Sequence, residues 1–180
     1  MKKIVFLIMA VTYSLSTIAQ QVALNDRVSI ELPAAARKIT RDEGMTHAEK
    51  KFSNDKVALT SVRLIRAGHL YKVDDILISL NVFDKKPKVP ETYLSDLKKG
   101  LDIITKRGDA SHYTSNLKKI NNNSVLITND MQGKVGYYSF DYLNADNTQE
   151  ITGTLHYHKD DAAEAASILD HLLNSIKFKD

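Results

Sequence analysis

Tyr137-Tyr138-Ser139-Phe140-Asp141-Tyr142, the connection Asn144-Ala145-Asp146-Asn147, and Glu150-Ile151-Thr152-Gly153-Thr154-Leu155-His156-Tyr157-His158 decide the fold. From Tyr138 onward, both flanks alternate apolar or aromatic with polar side chains, the two-residue period of a half-buried strand. Asn and Asp in the connection accept the backbone angles of a tight turn. With the loop centred on Ala145 and Asp146, Phe140 is predicted opposite Ile151 and Tyr138 opposite Gly153. Asp141 then faces Glu150, and Ser139 faces Thr152. This register collects the apolar groups on one face and the polar groups on the other. It also lays a Tyr ring over the bare backbone of a strand glycine. A slip of one residue would mix the faces.

Upstream, Asn121-Asn122-Asn123 and Gln132-Gly133 are turn signals that introduce Val125–Thr128 and Val135–Tyr142, so three strands form a meander. Ile76–Phe83 opens as an unbroken apolar run and predicts a central strand covered on both faces. Val28-Ser29-Ile30-Glu31-Leu32 alternates, and Pro33 ends it. Leu94, Leu97, Leu101 and Ile104 recur at helical spacing after Pro90. Ala165, Ile168, Leu169, Leu172, Leu173 and Ile176 do the same after Asp161, a predicted cap. Thr46 with Glu49 fits a capping box and predicts a short helix over His47–Phe52. Val57–Ile65 fits a strand or a helix equally. With no repeat and no linker, the pattern is a single α+β domain: a central antiparallel sheet sandwiched by helices.

Residues 1–19 read as a secretory leader. Lys2 and Lys3 precede an apolar run from Ile4 to Val11, and Thr17-Ile18-Ala19 offers small residues at the cleavage positions. The run is shorter than the roughly 20 apolar residues a spanning helix needs, and no later segment approaches that length. Cleavage after Ala19 takes 19 of the 180 residues and leaves 161, residues 20–180, as one domain. The expected location is secreted or periplasmic, with no membrane insertion of the mature chain. Lys2 and Lys3 account for two of the formal net charge of +3. The mature charge of +1 is no footprint for nucleic acid, which calls for a strongly basic face. The chain contains no Cys, which removes disulfides, thiolate metal sites and a Cys nucleophile together.

Val28–Pro33, the pair Tyr137–Tyr142 with Ile151–Tyr157, and the closing Ser175-Ile176-Lys177-Phe178 resemble the PsbP-like family. That family includes the extrinsic PsbP proteins of photosystem II, a Ran-binding nuclear import factor and exported bacterial proteins. The resemblance implies an α/β/α sandwich. It carries no shared catalytic set onto these residues.

His156 and His158 alternate on one strand and therefore share a face, a spacing that can chelate a metal. Glu150, Thr152 and Thr154 lie on the same face, with Asp141 beside them. Glu150 and His156 are six residues apart, about 20 Å along a strand, too far to share one ion. His47, His69, His112 and His171 are scattered, and no nucleophile or phosphate-binding motif is present. No catalytic, cofactor or metal residues are assigned. His156, His158 and Tyr137 are expected on a polar, partly solvated sheet face as a contact surface. The expected function is a non-enzymatic exported domain that binds or stabilises another envelope protein. The alternative is a small-ligand or metal-binding module around His156 and His158.

Overall fold

The computed structural model describes residues 19–52, 67–106 and 112–179. Most of the leader, and the segment that fits strand or helix equally, lie outside those residues.

Among the described residues, ten strands and three α-helices follow in chain order. They are β1 (Gln20–Ala23), β2 (Val28–Leu32), β3 (Arg37–Lys38), α1 (Arg41–Phe52), β4 (His69–Val73) and β5 (Ile76–Asp84). After these come α2 (Tyr93–Lys106), β6 (Tyr113–Ile120), β7 (Asn123–Gln132), β8 (Val135–Leu143), β9 (Gln149–His158), α3 (Ala162–Ser175) and β10 (Lys177–Phe178). A seven-stranded sheet runs β3-β4-β5-β9-β8-β7-β6, and a three-stranded sheet runs β1-β2-β10. Every strand pair is antiparallel.

β5 and β9 are neighbours inside the seven-stranded sheet, and each turns an apolar row to the same side. Ile76, Ile78 and Leu80 face one side with Ile151, Leu155 and Tyr157, all buried. On that side lie α3, through Ala165, Ile168, Leu169, Leu172 and Leu173, and β2, through Val28, Ile30 and Leu32. Each large side chain removed from water here contributes about 1.5–3 kcal/mol. Ser175 ties the end of α3 to β2: its hydroxyl accepts from the Glu31 amide at 3.0 Å. Phe178 then pairs with Val28, so Lys177–Phe178 forms the third strand of the small sheet.

The opposite face is also roofed. α1 packs Ala48 and Phe52 against Leu70, Leu77, Val135 and Tyr137. α2 packs Leu94 against Leu126 and Leu143. The sandwich expected from sequence is the one observed, with Phe140 and Ile151 buried between its layers.

Two local expectations are corrected. The hairpin pairs Phe140 with Gly153, Tyr142 with Ile151 and Tyr138 with Leu155, two residues away from the predicted register. The faces survive, because a shift of two preserves the side-chain period. The cause is Asn144, whose carbonyl side chain accepts from the amides of Thr148 and Gln149 at 2.9 and 3.0 Å. This widens the connection to five residues, Asn144–Thr148. The second correction is the start of α1. Thr40, not Thr46, makes the capping box: its hydroxyl accepts from the Glu43 amide at 3.2 Å, and the Glu43 carboxylate accepts from the Thr40 amide at 2.7 Å. The longer helix places Gly44, Ala48 and Phe52 on one buried stripe.

Candidate functional site

The register lines up side chains across the face that carries α1 and α2. One row runs Leu77, His156, Tyr137, Asp130 and Tyr113. The next is a ladder of five hydroxyls on five adjacent strands: Ser79, Thr154, Ser139, Thr128 and Ser115. A third holds Asn81, Thr152 and Asp141, and a fourth Phe83, Glu150 and Leu143.

His156 and Tyr137 belong to the α1 end of this face, and both are buried. Their rings meet edge to face, with centroids 5.1 Å apart. The expectation that they form a solvated contact surface is therefore corrected. The sequence shows a polar strand face but does not show which helix will roof it. His158 is the next residue on the same face and keeps part of its surface. Its Nδ1 accepts from the Asp160 amide at 3.4 Å and lies 3.3 Å from the Asp160 carboxylate, capping the 3-10 turn Lys159–Asp161. The two histidines share a face as expected, but one is inside the fold and the other is occupied with a turn. Among the described residues, no group of three His, Cys, Asp or Glu side chains converges as a metal site would require.

Glu150 lies at the other end, beneath α2, and is buried. Its carboxylate meets the Lys85 ammonium at 2.6 Å. Lys85 also stands 5.1 Å from the Tyr93 ring centroid and 5.7 Å from that of Phe83. Burial pulls the Lys85 ammonium down, but the hydrogen bond and charge of Glu150 outweigh it and leave its pKa above the usual value. Burial raises the Tyr93 hydroxyl as well. This is the environment of a structural ion pair holding the first turn of α2 to the sheet.

Between the two roofs, four of the five hydroxyls in the ladder are half-buried and Ser79 is buried. Ser115 donates to the Asp102 carboxylate of α2 at 2.6 Å. On the α3 side, Tyr157 covers Gly136, stacks on Tyr138 at 5.1 Å and donates to Asn129 at 2.8 Å. The aromatic cluster of the hairpin is thus core.

The exposed apolar surface is elsewhere. α2 reaches the edge strand β6 at Asp102, and the next two residues, Ile103 and Ile104, are 55% and 69% exposed. Leu117 on β6 is 44% exposed. Ile104 falls in the predicted apolar stripe of the helix but is exposed, while Thr105, one residue on, is half-buried beside Tyr113 of β6. One signal was legible: Ile103 stands off the stripe of Leu94, Leu97 and Leu101.

No protein-family model matches the chain, and no curated protein matches it. Solved structures do. Cyanobacterial PsbP (CyanoP) from Synechocystis sp. PCC 6803, a solution structure, superposes with a TM-score of 0.53 over 89% of this chain and 92% of that one, at 10% identity. The fold is PsbP-like. A crystal structure from Bacteroides thetaiotaomicron VPI-5482 reaches a TM-score of 0.45 at 14% identity, over 85% of this chain and 45% of the other. The sandwich resemblance expected from the two ends of the chain is met, and at this identity the likeness speaks for the fold alone. No helix among the described residues is long and apolar enough to cross a membrane.

Proposed function

We propose that the chain is an exported, non-catalytic binding domain that holds or stabilises another protein of the cell envelope. One observation carries the reading. The side chains best suited to chemistry are committed to the scaffold, whereas three of the four large exposed apolar side chains among the described residues lie on α2 and β6, the fourth being Phe83 on β5. His156 packs on Tyr137, Glu150 is paired with Lys85, and His158 caps a turn. Ile103, Ile104 and Leu117 are left facing outward. A leader that directs export supports the location. The PsbP-like sandwich supports a role without a conserved catalytic set.

The test is native electrophoresis of gently solubilised envelope from cells producing a tagged chain. The expected result is a discrete species well above the 20.2 kDa of the chain, dissociating to monomer on denaturation. Migration as a free monomer at all extraction strengths overturns the reading.

A further inference from the structure

Among the described residues, β6 is one edge of the seven-stranded sheet, eight residues long, with no strand paired to its outer side. Such an edge is a template for another strand, and proteins usually blunt it with charge or a covering segment. α2 reaches β6 through Asp102, hydrogen-bonded to Ser115, and through Thr105 beside Tyr113, yet Ile103, Ile104 and Leu117 remain exposed.

The charges on this edge are one-sided. β6 reads Tyr-Thr-Ser-Asn-Leu-Lys-Lys-Ile, with Lys118 and Lys119 and no acidic residue. The register places Leu117 and Lys119 on the face that carries α2, and Lys118 on the other. Among the described residues, neither lysine takes part in an ion pair, whereas Lys98 and Lys99 on α2 are matched to Asp102 and Asp96. We infer that β6 receives an extended acidic segment of a partner protein by strand addition, with an apolar side chain under Ile103 and Ile104 and carboxylates against Lys118 and Lys119. Main-chain hydrogen bonds supply the affinity of such a joint, and alternate side chains supply the specificity. A second copy fits less well. An antiparallel β6–β6 ribbon would hold four ammonium groups and no carboxylate, so it offers Lys118 and Lys119 no opposite charge. The inference rests on the binding role proposed above and names the class of partner.

The probe is a fluorescein-labelled peptide of about eight residues, the length of β6, alternating valine with glutamate; a valine–lysine peptide is the control. Binding is read by polarisation and by amide hydrogen exchange of the cysteine-free mature chain. The expected result is binding of the acidic peptide alone, with newly slowed exchange at alternate β6 amides. Lys118→Glu with Lys119→Glu is expected to weaken it about tenfold or more, as removing two facing charges should. Arg27→Glu, an exposed change on the small sheet, should leave it unaltered. Exchange in β8 and β9 reports that each variant is folded. Equal binding of both peptides, slowed amides outside β6, or indifference to the lysine reversal overturns the inference. So does self-association that protects β6 without any peptide, because the edge then belongs to a second copy. If the native envelope species forms but β6 remains unprotected, the strand-addition inference fails while the binding role stands. If no larger species forms at all, the binding role itself fails.

Discussion

Gly153 shows how one atom sets the hairpin. A Cβ there would collide with the Phe140 ring and come within 2.9 Å of Leu80. Gly153→Ala is therefore expected to cost about 1–3 kcal/mol, the range for overpacking a filled core, measured by urea unfolding. An unchanged midpoint would mean that the ring does not lie over the glycine. Lys85 is a second sensitive residue. Lys85→Ala removes the partner of a carboxylate that is 2% exposed, at an expected cost of about 3 kcal/mol, the low end for breaking a buried pair. Lys85→Met with Glu150→Leu should recover most of that. A loss below about 0.5 kcal/mol in the single variant, the size of an ordinary surface change, would place the pair in solvent. The sequence disclosed that a ring covers a strand glycine, but chose Tyr138 in place of Phe140. The choice depended on how many residues Asn144 would draw into the loop.

At the scale of elements, α1 is the instructive case. Thr40 and Glu43 form one capping box, and Thr46 and Glu49 spell the same pattern six residues later. Local chemistry does not separate them. Tertiary packing does, because only the earlier start brings Gly44 onto the buried stripe with Ala48 and Phe52. Thr40→Ala should destabilise the chain by about 1 kcal/mol, read from the unfolding midpoint. Glu43 adds a pH signature. The Thr40 backbone amide, then the Arg37 guanidinium, hold its carboxyl at about 2, against 4.5 when unperturbed. A lowered carboxyl pKa stabilises the fold fully above pH 4.5, and that contribution is lost as the pH falls through about 2. Carbon-13 NMR of the side chain should find the midpoint near the lower value, and a midpoint at 4.5 would contradict the cap. The other elements were unequally legible. β2, β5 and α3 announce themselves by period and apolar density. β3 and β4 do not, since a two-residue strand has no period and His69–Val73 mixes polar and apolar groups at a sheet margin.

For the whole molecule, the two-layered burial of the sheet governs the functional reading. A polar strand face looks solvated in a sequence, because period alone cannot say whether a helix from elsewhere will lie on it. That is why His156 and Tyr137 read as surface and are core, while the apolar rim at β6 went unread. The fold was legible as a sandwich because both stripes, Leu94–Leu101 and Ala165–Leu173, demand a platform. The candidate site depended on where each platform ends. β1 begins at Gln20, the first residue after the predicted cleavage point. Cleavage after Ala19 predicts a mature chain with the mass of residues 20–180, and mass spectrometry recovering the chain with Lys2 and Lys3 attached would contradict a cleaved leader.

The measurement that bears most directly on the account is residue-resolved amide hydrogen exchange of the mature chain. Slowest exchange is expected across β5, β9 and β8, including His156 and Tyr137 beneath α1, with fast exchange at alternate residues of β6. If His156 and Tyr137 exchanged as fast as the β6 edge, β9 and β8 would not be interior strands of a packed sheet. The assignment of these side chains to the scaffold would then be wrong.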